Sequence, residues 1–79
     1  MEMHQVRYVI AAADHLNFTR AAASCDVSQP ALTKGIKALE RELGTPLFHR
    51  EGRRILVSDF GRSMLPHLRQ IAAEAEAAR

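Results

Sequence analysis

The segment VSQPALTKGIKALEREL, from Val27 to Leu43, concentrates side chains that exchange hydrogen bonds and positive charge. Gln29 offers an amide that can donate and accept side by side. Thr33 offers a hydroxyl and a methyl. Lys34 and Lys37 offer ammonium groups, and no carboxylate appears before Glu40. At about 100° per residue, Leu32, Ile36, Leu39 and Leu43 share a narrow sector that must face a core. Pro30, Lys34, Lys37 and Arg41 fall almost opposite, with Gln29 and Thr33 flanking them near the start. Such groups match the major groove of double-stranded DNA. Glutamine can pair with adenine, threonine can meet a base edge or a thymine methyl, and lysine can reach guanine or phosphate. The amides at the start of the helix and the Ser28 hydroxyl can meet a phosphate.

Spacing before and after this segment supplies the elements that would position it. Met3, Val6, Ile10 and Ala13 recur at helical spacing and predict a first helix over Met3–Asp14. Asn17 is suited to cap a second helix over Thr19–Ser24, whose alanines allow close helix approach. Cys25 to Val27 form a tight turn. Ser28 then caps the third helix, with Pro30 in its first turn and Gly44 beyond its end. Two helices so joined have helix-turn-helix spacing. Extended pieces follow at Pro46–His49 and Arg54–Val57, with Glu51 and Gly52 between them and Arg50 and Arg53 alongside. They predict a β-hairpin with a basic tip. Ser58 caps a last helix reaching the C-terminus.

Within that last helix, Met64, Leu68, Ile71, Ala75 and Ala78 alternate spacings of four and three, a heptad seam through which two copies could pair. Phe60 should pack the first part of the helix back on the chain's own core. Pro66 removes one backbone bond and should bend the helix near Arg62 without breaking it.

Bulk properties narrow the classes. The chain has 79 residues, 47% hydrophobic and 25% charged, with a formal net charge of only +2. This is enough for one small domain with a thin core. The charge is uneven. Arg20 to Arg54 holds seven basic residues against four acids, and the remainder holds four against five. A positive middle suits a polyanionic partner. One cysteine permits no intrachain disulfide, which fits a reducing compartment. The N-terminus has no signal-peptide pattern and no stretch reaches membrane-spanning length, so the expectation is a cytoplasmic protein without a membrane partner. Cys25 reads as a small buried hydrophobe at the end of helix two. His4, His15, His49 and His67 are too scattered for a zinc site. An enzyme built on Asp14, His15 and Cys25 would have no nucleophile motif and no room for a pocket. A protein-interaction module using the last helix is compatible with DNA binding, because that helix could serve to dimerise.

From Phe18 to Gly61 the chain resembles the N-terminal winged helix-turn-helix of LysR-type bacterial transcriptional regulators. The matching pieces are Phe18-Thr19-Arg20-Ala21-Ala22, Val27-Ser28-Gln29-Pro30-Ala31-Leu32, Ile36, Leu39-Glu40, Leu43-Gly44, Leu47-Phe48, Arg50 and Gly61. The resemblance implies a mainly α fold: three helices plus a small β-hairpin wing over residues 1–58, then a long linker and dimerisation helix over 59–79. It implies that Gln29, Pro30, Thr33 and Lys34 lie in the major groove, and that Thr19, Arg20, Ser28, Lys37 and Arg50 lie near phosphates. Arg53 would reach the minor groove. Met64, Leu68, Ile71 and Ala75 would pair antiparallel with a second copy, so that a homodimer reads an inverted repeat. The full protein would be a tetramer whose C-terminal domain, starting past Arg79, binds a small effector. No cofactor is expected in the chain itself. Lys34 departs from the arginine common in the family and lacks its planar fork. Gly35, which costs about 1 kcal/mol relative to alanine inside a helix, is either a point of close approach to DNA or of no consequence.

Overall fold

The computed structural model describes all 79 residues: α1 (Met3–His15), α2 (Phe18–Ser24), α3 (Gln29–Leu43), β1 (Phe48–Glu51), β2 (Arg54–Val57) and α4 (Asp59–Ala77). Three of the helices begin where a side-chain oxygen accepts an amide three residues on. Asn17 Oδ1 accepts from the Arg20 amide (2.8 Å), Ser28 Oγ from Ala31 (3.2 Å) and Ser58 Oγ from Gly61 (2.9 Å). Each satisfies a donor that the first turn otherwise orphans. Leu16 (φ 52°) and Gly44 (φ 86°) end α1 and α3 in the left-handed conformation, where glycine bears no Cβ penalty.

The core is one cluster. Val6, Val9 and Ala12 of α1, Ala21 and Ala22 of α2, and Leu32, Ile36 and Leu39 of α3 meet Leu47, Phe48, Ile55 and Leu68. Val6, Met3, Ile10 and Ala13 all touch this core, but the deepest face of α1 is turned from that stripe toward Val9 and Ala12. Gln5, Val6, Val9 and Ala12 are buried, whereas Met3, Ile10 and Ala13 are only half-buried. Nearly every position from Val6 to Ala13 is apolar or aromatic, so the pattern alone marks no single stripe.

The hairpin pairs Phe48 with Val57, His49 with Leu56, Arg50 with Ile55 and Glu51 with Arg54. β1 begins two residues later than the expected Pro46 start, because the preceding backbone is engaged elsewhere. The Leu47 amide donates to Glu40 Oε2 (2.6 Å), the Ser58 amide donates to the Leu47 carbonyl (2.9 Å), and Ser58 Oγ donates to the Pro46 carbonyl (2.8 Å). The connection at Gly52 and Arg53 reverses the chain with Gly52 at φ 64°, as a two-residue hairpin loop requires.

α4 runs unbroken through Pro66. Its first half belongs to the core: Gly61 is buried and Leu68 is fully buried. This corrects the assignment of Leu68 to a dimerisation seam. Heptad spacing records which residues share a face, and here the chain's own α1 covers Leu68's side of the helix, with Arg69 bonded to Asp14 at 2.7 Å. Cys25, expected to be buried, is half-buried with Sγ 4.0 Å from Ser24 Oγ.

Candidate nucleic-acid interface

The turn between α2 and α3 is set by its own backbone. The Cys25 amide reaches the Ala21 and Ala22 carbonyls, and the Val27 amide reaches Ala22 at 3.0 Å. Asp26 takes the left-handed conformation (φ 58°) between them. Aspartate tolerates that conformation better than most residues. With Ala21 and Ala22 fully packed, α2 fixes how far the start of α3 projects.

The outward side of α3 carries the expected groups. Pro30, Lys34 and Lys37 are exposed, and Gln29 and Thr33 are half-buried. Gln29 Nε2 donates to Thr33 Oγ1 at 2.6 Å, so these two side chains form a coupled pair one helical turn apart. Ser28 Oγ is taken by the Ala31 amide. Its hydroxyl hydrogen stays available as a donor.

The hairpin and the two helix starts converge. Asn17, Phe18, Thr19, Gln29, Arg50, Arg53 and Ile55 line one concave surface. It brings together Thr19, Gln29, Arg50 and Arg53 from three separate elements. A second hollow, between α3 and β1, is lined by Thr33, Lys37, Glu40, His49 and Arg50 among others. Lys34 lies apart from both, beside His4, Gln5 and Tyr8 on the opposite flank of α3. Arg20 is exposed on α2 outside all these hollows.

Electrostatics favour an anion. The four ion pairs of the chain involve the N-terminus, Arg62, Arg69 and Arg79. Arg20, Lys34, Lys37, Arg41, Arg50, Arg53 and Arg54 have no carboxylate partner. Glu40, the one acid facing the second hollow, is drawn inward: its Oε2 accepts the Leu47 and Phe48 amides at 2.6 and 3.3 Å. An acid within the basic helix thus anchors the hairpin, a role invisible from local spacing. No cluster of three histidine, cysteine, aspartate or glutamate side chains is placed to hold a metal ion.

Gly35 does not face the outer surface. It is buried, and a Cβ there would lie 2.7 and 2.9 Å from Tyr8 Cδ2 and Cε2. The glycine admits a ring from α1, so neither alternative drawn from the sequence describes it: the close approach is between two helices. Gly61 is tighter still, since its Cβ would strike the Leu47 carbonyl oxygen.

Three helices around a tight turn, followed by a hairpin that extends the same basic surface, define a winged helix-turn-helix. The chain belongs to the lysR family of bacterial regulatory helix-turn-helix proteins, whose family model matches residues 3–62. Among its relatives, YwqM of Bacillus subtilis (strain 168), described as an uncharacterized HTH-type transcriptional regulator, is 39% identical over 79 residues. The HTH-type transcriptional regulator BudR of Raoultella terrigena is 44% identical over 78 residues. The match covers 100% and 99% of this chain respectively, but 27% of each relative, so the chain spans about a quarter of their length. Among solved structures, the CbnR DNA-binding domain in complex with DNA superposes with a TM-score of 0.93 at 37% identity, covering 99% of this chain and 90% of that one. Full-length OxyR from Pseudomonas aeruginosa superposes with a TM-score of 0.95 at 33% identity, covering 100% of this chain and 27% of that one. YwqM and BudR are both named as transcriptional regulators.

Proposed function

We propose that this chain is the DNA-binding head of a cytoplasmic bacterial transcription regulator. The observation that carries the reading is the concave surface where the starts of α2 and α3 meet the hairpin, with Arg50 and Arg53 in it and Lys37 in the adjoining hollow, none of them ion-paired. α3 enters the major groove with its N-terminal residues first, as the second helix of a helix-turn-helix does. Gln29, Pro30, Thr33 and Lys34 meet base edges. Thr19, Arg20, Ser28, Lys37 and Arg50 meet phosphates, and Arg53 at the hairpin tip enters the minor groove. That a CbnR DNA-binding domain of the same fold was solved with DNA supports this reading.

α4 pairs with a second copy through Met64, Ile71 and Ala75. Exposure of Ile71 at 38%, unusual for a large apolar side chain here, supports this assignment. Two heads then read an inverted repeat with half-sites one or two turns apart. The rest of such a regulator carries a small-molecule effector domain and assembles into a tetramer. No helix of the chain is long and apolar enough to cross a membrane.

Selection from a random double-stranded DNA pool tests the proposal. Enrichment of an inverted repeat is expected. Enrichment of a single half-site would remove the dimer from the account, and recovery of no sequence would remove specific readout.

A further inference from the structure

Cross-strand partners in an antiparallel hairpin point to the same side. Arg50 is paired with buried Ile55 and lies two residues from buried Phe48, so it leaves the strand on the core-facing side. Its side chain nevertheless ends exposed. It does so by crossing the ring of Phe18, with the guanidinium carbon 5.3 Å from the ring centroid. Phe18 is itself fixed: its ring meets Phe48 edge to face, at 5.9 Å between centroids and 88° between planes. Phe18 is also the first residue of α2, next to Thr19 and immediately after the Asn17 cap. Arg50 has no carboxylate to hold it, and both hollows of the basic surface are lined by Phe18 and Arg50 together.

We infer that Phe18 is a positioning residue for phosphate recognition: its ring holds the Arg50 guanidinium between the starts of α2 and α3. A cation over an aromatic face is attracted by the ring quadrupole. That contact uses none of the guanidinium N–H groups, which remain free to form a planar fork to a phosphate. The ring also removes rotamer freedom that an unsupported arginine would lose on binding. The inference rests on the DNA-binding reading and deepens it.

A double-mutant cycle on the purified chain with a fluorescent DNA duplex tests it. Phe18→Leu keeps an apolar side chain and removes the quadrupole. It should weaken binding about three- to fivefold in the wild-type background and leave affinity unchanged in the Arg50→Ala background. Phe18→Tyr should retain wild-type affinity. Equal loss in both backgrounds would make Phe18 a packing residue only and overturn the inference. A second measurement needs neither DNA nor a stable Phe18→Leu variant. In the NMR spectrum of the free wild-type chain, Arg50 side-chain protons should show an upfield ring-current shift. Random-coil positions for those protons would overturn the inference while leaving DNA binding untouched. Failure of the wild type to bind any duplex would overturn the functional reading and the inference with it.

Discussion

Glu40 offers the sharpest quantitative prediction, because two opposing effects act at one carboxylate. It accepts the Leu47 and Phe48 amides at 2.6 and 3.3 Å, and both residues are buried. Hydrogen bonds to a charged acceptor contribute about 1.5–3 kcal/mol net, and a stranded buried donor costs about 1–3 kcal/mol. The 3.3 Å bond is weak and Glu40 is half-buried, so Glu40→Ala should destabilise the fold by about 2–4 kcal/mol in total. A domain of this size has about 4–12 kcal/mol of stability, and 1 kcal/mol moves the melting temperature by about 4–8 °C. The expected fall is therefore about 8–32 °C. Glu40→Gln keeps one carbonyl acceptor and should lose about half as much. Against this, removing a negative charge beside Lys37 and Arg41 raises attraction for phosphate, at most about 1 kcal/mol for exposed charges at moderate salt. Stability should thus fall in both variants while DNA affinity at a temperature well below the transition stays level or rises slightly. Far-UV circular dichroism melts at matched salt provide the assay. Melting within about 2 °C of wild type for both variants would refute the hairpin-anchor role.

Other predictions follow from particular contacts. In Gly61→Ala the helix-propensity gain of about 1 kcal/mol is outweighed by collision with the Leu47 carbonyl and Val57 Cγ1, and overpacking costs about 1–3 kcal/mol or more; urea denaturation should show net destabilisation. Gly35→Ala meets a half-exposed Tyr8 ring that can swing aside, so its net change should stay within about 1 kcal/mol. Ile71→Glu should shift a dimer to a monomer in sedimentation with the melting temperature retained, whereas Leu68→Glu should unfold the chain because it buries a charge in the core. Gln29→Ala should cost about 1–3 kcal/mol at one base step and relax specificity there, while Lys37→Ala should weaken binding to all sequences alike; indistinguishable effects on specific and random duplexes would dissolve that division of labour.

What could be read from the sequence was what depends on near neighbours. Asn17, Ser28 and Ser58 cap helices through amides three residues away, so their oxygen chemistry was visible in the residue order. The basic side of α3 was visible for the same reason, since helical period fixes which residues share a face. What escaped depends on contacts between distant segments. Gly35 answers to Tyr8 of α1, Glu40 answers to Leu47 and Phe48, and the path of Arg50 is set by Phe18. Leu68 satisfied a heptad pattern as well as any seam residue would. Only the position of α1 beside it decided that the seam is partly internal. The start of β1 was displaced because Glu40 and Ser58 claim the backbone of Pro46 and Leu47, competition that strand propensity does not register.

If the unpaired cations of α3, α2 and the hairpin engage the DNA backbone, binding must release counterions and weaken with salt. The most direct measurement is the salt dependence of wild-type affinity for a short duplex by fluorescence anisotropy, with Lys37→Ala alongside. Log affinity should fall linearly with log salt, with a slope reduced by about one unit in the variant. A flat salt dependence, or an identical slope for wild type and Lys37→Ala, would contradict that engagement.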